Sequence, residues 1–131
     1  MINTIQPEGW AKPKGYANGM LADGRLYVGG QIGWNADQVF ESRDFAGQTE
    51  QALANVVAIV RAAGGEPRHI TRLTWYVTDK KEYLARQREI GEAYRRVMGR
   101  HFPVMTMVVV AGLIEDAALV EIEAMAELGT A

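Results

Sequence analysis

The apolar positions of the chain change period several times, and each change predicts an element. Residues 104–110 read VMTMVVV. As an extended segment they place Val104, Thr106, Val108 and Val110 on one face and Met105, Met107 and Val109 on the other. Both faces are apolar, so both need covering. Leu53, Val56, Val57 and Val60 recur at three- and four-residue spacing and predict a helix over residues 48–63, stopped by Gly64-Gly65 with a left-handed cap. Alternation returns over residues 72–78, with Leu73, Trp75 and Val77 on one side and Thr74, Tyr76 and Thr78 on the other. Asp79 then opens a second helix, with Glu82 placed for a capping box. Tyr83, Gln87, Ile90, Tyr94 and Val97 form one face of that single helix, and Gly99 ends it. Strands over residues 104–111 and 119–127 complete the C-terminal part.

Toward the N-terminus, Pro7, Gly9, Pro13, Gly15 and Gly19 punctuate a loop preceded by a short strand over residues 2–6. Asp23-Gly24 between two apolar segments predicts a tight hairpin, whose second strand covers residues 25–32. Gly29-Gly30 near its end predicts a bulge or a close approach by backbone or ligand. The order is β-β-β-α-β-α-β-β in one domain, residues 1–131. Two helices cover one face of such a mixed sheet. The other face would meet water, with either Met105, Met107 and Val109 or their opposite neighbours on it. Another subunit is the expected cover, so the chain is expected to be an obligate oligomer.

Composition narrows the chemistry. Of 131 residues, 48% are hydrophobic and 23% charged, which is enough apolar content for a packed core. The formal net charge of -2, with both signs mixed along the chain, gives no electrostatic case for nucleic acid as the main partner. The absence of cysteine removes disulfides, thiolate catalysis and Cys-ligated metals. His69 and His101 lack ligand spacing, so no metal and no other cofactor is expected. The N-terminus lacks a basic segment followed by an apolar one. The uncharged run at residues 102–113 is too short and too β-branched to span a membrane. A soluble cytoplasmic protein is the expectation.

Four short motifs then fall in a particular order: GGQIG at residues 29–33, QTEQALANVVAIVRAAGG at 48–65, RLTWYVTD at 72–79 and LVEIEAMA at 119–126. Together they resemble the RidA/YjgF family of imine and enamine deaminases, which also carries the name L-PSP endoribonuclease. The resemblance covers nearly the whole chain. It implies an α+β, chorismate-mutase-like fold: a mixed sheet with two helices packed on one face. It also implies a homotrimer with a central barrel and clefts between subunits. Deaminases of this family hydrolyse reactive imines or enamines to a keto acid and ammonia. Their cleft carries an arginine, in a Pro-Ala-Arg-Ser motif, that grips the substrate carboxylate. Here the matching residues are Pro103, Val104, Met105 and Thr106, so Met105 stands at the arginine position, and Met107 replaces a small residue. A thioether cannot bind a carboxylate.

The resemblance implies that Glu121 positions and activates water as a general acid/base. Glu123, two residues on, is read as a polar contact at the subunit interface. Tyr16 matches a cleft tyrosine. Gly30 and Gln31 match positions whose backbone N–H groups meet substrate oxygen. Gln87 stands where many members have asparagine, and either reaches the cleft or bonds to backbone. Trp10, Tyr16 and Trp34 either form a flat aromatic wall or pack at an interface. Lys14 is read as a solvated loop lysine rather than a substitute cation, and Arg72, Arg86, Arg95 and Arg100 as surface charges. The expected function is an imine or enamine deaminase with a larger conjugated substrate, such as an aminomuconate. The alternatives are a non-catalytic small-molecule-binding trimer and an endoribonuclease, the last disfavoured by acidic balance and the lack of a histidine acid/base pair.

Overall fold

The computed structural model describes residues 1–129. Ten segments make up a six-stranded sheet with helices on one side: β1 (Ile2–Ile5), β2 (Gly19–Ala22), β3 (Arg25–Ile32), α1 (Phe45–Ala62), a 3-10 turn (Pro67–His69), β4 (Ile70–Val77), α2 (Lys80–Ala85), α3 (Gln87–Met98), β5 (Val104–Val109) and β6 (Val120–Glu127). The spatial order is β1-β2-β3-β6-β4-β5. Only the β4–β5 pair is parallel, and the crossover through α2 and α3 makes it so. β3 and β4 both run antiparallel to β6, which lies between them. The unit β3-α1-β4 is therefore a split crossover with the last strand inserted into its gap.

The predicted hairpin is present. Asp23 and Gly24 both take positive φ, 48° and 82°, the two-residue turn whose twist matches the flanking strands. The β3–β6 register slips between Val28 and Gln31, so Gly29 and Gly30 form the predicted bulge. Gly64, at φ 93°, follows α1 in the left-handed conformation.

Two helix predictions are corrected. α1 starts at Phe45 rather than residue 48, because Asp44 is the cap: its Oδ1 accepts from Gly47 N at 2.6 Å. The second helix is two helices. Arg86, at φ −113° and ψ 17°, interrupts it, so Tyr83 stands on α2 while Gln87, Ile90, Tyr94 and Val97 stand on α3. Asp79 caps α2 through Glu82 N at 3.0 Å, but the Glu82 carboxylate bonds to Arg86 at 3.0 Å instead of closing the reciprocal half of a capping box.

The core lies between helices and sheet. Leu53, Val56, Ile59 and Val60 of α1 pack with Leu26, Leu73, Val77, Val120 and Ile122, all buried. β6 shows the alternation cleanly: Val120, Ile122, Ala124 and Ala126 are buried, while Glu121, Glu123 and Met125 point to the face without helices. Register then settles the orientation of β5. Met105, Met107 and Val109 pair with Leu73, Trp75 and Val77, so they share the helix side, and Val104, Thr106 and Val108 share the open face. That face also exposes Met20 and Tyr27, and Val104 is 60% exposed.

Gly33 sets how closely α1 approaches β3. A Cβ there would stand 2.8 Å from the Gln48 Cα, which is backbone and cannot swing aside. Gly33→Ala should lower stability by about 1–3 kcal/mol through forced separation of helix and sheet. Urea unfolding followed by tryptophan fluorescence checks this, and an unchanged midpoint would contradict it.

Candidate active site

The candidate residues fall into two groups on opposite sides of the sheet. The first group lines a cleft of about 240 Å³ between α3 and the edge strand β5. Met105 and Met107 enter it from β5, Trp75 from β4, Tyr83 from α2, and Gln87, Ile90 and Tyr94 from α3, with Phe102 closing one end. Its wall is an aromatic stack. The Tyr94 ring lies nearly parallel to Phe102, at 5.5 Å and 6°, and to Trp75, at 6.4 Å and 20°. Tyr94 is held from behind: its hydroxyl donates to the His101 carbonyl at 2.6 Å, and burial pushes its pKa up to about 12. It is a neutral donor at any physiological pH. His101 Nε2 lies 2.7 Å from the Ile70 carbonyl, which ties the loop before β5 to the start of β4. Both bonds anchor the residue before Phe102, which is itself 67% exposed and borders the cleft. Trp75 Nε1 is buried without an acceptor among the described residues.

The second group is on the open face. β6 presents Glu121 half-buried beside the β3 bulge. Gly30 there is exposed and has no Cα partner on β6. A Cβ on Gly30 would stand 2.7 Å from the Glu121 carboxyl carbon, so the missing side chain is what lets the carboxylate lie across bare backbone. Burial pushes the Glu121 pKa up, and the negative charge of Glu123 adds to it. Glu123 is differently placed, since it accepts a hydrogen bond from the Tyr76 hydroxyl, whose pKa that bond raises. This leaves Glu121 as the carboxylate with free coordination and Glu123 as its charged neighbour.

The remaining candidates fall as follows. The Gln31 side chain is buried and occupied: Nε2 donates to the Gly29 carbonyl at 3.0 Å and to Asn18 Oδ1 at 3.2 Å. It stabilises the bulge from inside, and only its backbone remains a ligand candidate. Trp10, Tyr16 and Trp34 form no aromatic pair with one another among the described residues. Trp34 packs on Phe40 at 5.9 Å, Trp10 packs against the core, and Tyr16 is exposed. Lys14 is exposed and outside both groups. Arg95, read as a surface charge, is exposed and also borders the cleft. Trp75, Tyr83, Tyr94 and Phe102 were assigned no role from sequence, although the i, i+4 spacing of Ile90 and Tyr94 marked that helix face as apolar. No cluster of potential metal ligands occurs among the described residues. No described helix is long and apolar enough to cross a membrane.

A sequence model of the Endoribonuclease L-PSP family matches residues 10–128. The chain belongs to this family, the RidA/YjgF proteins. Rv2704 of Mycobacterium tuberculosis, a member of the YjgF/YER057c/UK114 family, is 34% identical over 86% of each chain, with a TM-score of 0.71. TdcF of E. coli, solved with bound serine, is 29% identical over 95% of this chain and 98% of its own, with a TM-score of 0.82. YyfA of Yersinia pestis, of the conserved Rid protein family, is 28% identical over 97% and 99%, with a TM-score of 0.83. The α+β architecture of this RidA/YjgF chain, a six-stranded sheet with two main helices, is that of its solved relatives.

The raised Glu121 pKa has a stability consequence. A carboxyl whose folded pKa exceeds its unfolded value binds more protons in the folded state. Stability is then lost as pH rises between the two values. Glu121→Gln removes the titration while keeping the shape. The variant should melt above the parent at neutral pH, and the difference should vanish as pH falls into the ordinary carboxylate range. Calorimetry across pH 4 to 8 checks this, and a variant that melts lower at neutral pH would contradict it.

Proposed function

We propose that this RidA/YjgF protein hydrolyses an imine or enamine to a carbonyl compound and ammonia. The site is a cleft that two copies of the chain complete in a homotrimer. The observation that carries the reading is the Glu121 carboxylate: half-buried, with raised pKa, lying across the bare backbone of Gly30. A carboxyl poised above its usual range exchanges protons with water and nitrogen more readily than an ordinary glutamate at neutral pH. In the proposed step, Glu121 takes a proton from water as the oxygen bonds to the imine carbon. Glu121 returns that proton to nitrogen to give a neutral carbinolamine, then carries the hydroxyl proton to the same nitrogen as the carbonyl forms and the carbon–nitrogen bond breaks, so both protons of water end on ammonia. Water and imine enter; carbonyl compound and ammonia leave. Backbone N–H groups at the Gly30–Gln31 bulge are suited to the developing oxygen charge.

The need for a second copy follows from the two groups. Within one chain Glu121 and Met105 face opposite sides of the sheet, so a single subunit supplies half of each site. The exposed apolar positions Met20, Tyr27, Val104 and Val108 on the Glu121 face are what a packed neighbour would cover. The presence of Met105 and Met107 in place of a cation and a small residue favours substrates with a sizeable apolar or conjugated part, an aminomuconate among them, over 2-aminoacrylate. The small-molecule site of TdcF, seen with bound serine, supports a small-molecule role for the fold. Loss of the family arginine also favours a second reading, a cleft that binds without turnover.

One assay separates the two. Imines generated in situ by an amino-acid oxidase from alanine, leucine and phenylalanine are offered, and ammonia release is followed. Accelerated release with the larger imines, falling at least about 100-fold in kcat for Glu121→Gln, is expected. No acceleration with any imine would leave the binding reading. Light scattering should show a trimer at micromolar concentration, and a monomer would sink the shared cleft. Glu123→Gln removes the charge that adds to the shift, so the acidic limb of the rate profile should move to lower pH.

A further inference from the structure

Of the residues lining the cleft, Arg95 alone carries a charge. The other arginines of α3 and of its N-terminal cap are matched. Arg86 pairs with Glu82 at 3.0 Å, Arg88 with Glu92 at 3.4 Å, and Arg96 with Glu50 at 2.7 Å. Arg95 joins no ion pair among the described residues, and Glu92, one turn before it, is taken by Arg88. Gly91 stands at i−4 from Arg95, in the middle of α3, where glycine costs about 1 kcal/mol against alanine. Packing gives no reason for it. A Cβ there would meet nothing within 4 Å except Arg95 Nη1, at 3.5 Å. The guanidinium therefore lies along the track that a side chain at 91 would fill. Gln87, Gly91 and Arg95 form an i, i+4, i+8 row along the cleft. An amide, a gap and a fork of donors face an apolar wall of Met105, Met107 and Phe102.

We propose that Arg95 anchors a ligand carboxylate in this cleft, and that the ligand is a monocarboxylate bearing a bulky apolar group. The carboxylate sits on the guanidinium that Gly91 leaves room for, and the apolar part lies against the two methionines and Phe102. This rests on the cleft being the ligand site of the preceding proposal. It adds which residue selects charge and which select bulk.

The test uses the intact protein and two probes of one shape, phenylacetate and phenylacetamide, titrated calorimetrically at low salt. The acid should bind at least about tenfold more tightly than the amide, because a guanidinium–carboxylate pair is charge-assisted and the amide pair is not. Arg95→Gln should abolish most of that preference with little change for the amide. Met105→Ala should weaken both probes alike and keep the ratio. Gly91→Leu is the second route: it favours the helix, fills the guanidinium's track, and should also reduce the ratio. Equal affinity of the two probes, no binding of the acid, or a ratio unchanged in Arg95→Gln overturns the assignment. Its failure differs from failure of the deaminase reading. An acid preference lost in Arg95→Gln without turnover of any imine leaves the anchor standing. Turnover of the phenylalanine-derived imine with kcat and KM unchanged in Arg95→Gln removes the anchor alone.

Discussion

Two buried side-chain amides on one helix hold the site's architecture in place. Gln48 of α1 is fully buried. Its Nε2 donates to the Ala117 and Ser42 carbonyls at 2.8 and 3.2 Å, and its Oε1 accepts from Leu119 N at 2.8 Å. Two turns later, Asn55 donates to the Ile32 and Trp34 carbonyls at 3.1 and 2.7 Å. The first grips the entry to β6 and the second grips the exit of β3. Those two strand ends carry Glu121 and Gly30. α1 therefore sets the alignment of the carboxylate with the glycine backbone without touching either. Each amide satisfies backbone groups that would otherwise be orphaned in a dry interior, which makes the arrangement rigid as well as stable. Gly33 permits it, since only a bare backbone lets the helix come close enough for amides of this length to reach.

The electrostatics of the site follow from this rigidity. A mobile glutamate would swing into water and regain an ordinary pKa. Glu121 lies half-buried beside the sheet, where desolvation dominates and Glu123 adds repulsion. Glu123 in turn is kept in place by the Tyr76 hydroxyl. The cleft on the other face is organised differently, by stacked rings pinned through Tyr94 and His101. One face presents two carboxylates and the other presents stacked rings.

The sequence made the hairpin, the bulge, the α1 stripe and the β6 alternation legible, because each has a local physical cause: a turn dipeptide, paired glycines, a period of 3.6 or 2. The Arg86 break was not legible. Residues 80–98 keep a helical periodicity across it, and no proline or glycine marks the interruption. The orientation of β5 was not legible either, since its two faces are equally apolar and only the register with Leu73, Trp75 and Val77 distinguishes them. Gln48 and Asn55 were read as parts of a motif rather than as clamps, because their partners lie 71 and 23 residues away. Arg95 is exposed, as a surface charge would be, and its place at the cleft was not legible for a similar reason. Its setting is defined by the empty space at Gly91 and by carboxylates already engaged elsewhere, and neither leaves a mark on the local pattern.

The position of β6 bears on how the chain is made. β6, sixth of the described strands in chain order, is central in space, with β3 on one side and β4 on the other. Until it exists, β3 and β4 have no common partner. The two halves of the sheet then remain separate ribbons with unpaired edges, and the apolar stripe of α1 has only part of its floor. β6 must therefore leave the ribosome before a stable sheet can close. Folding is committed by residues far along the chain rather than by growth from the start. During that interval the valine- and methionine-rich β5 can pair only with a β4 whose other edge is still bare, so the apolar ribbon is open on both faces until β6 arrives.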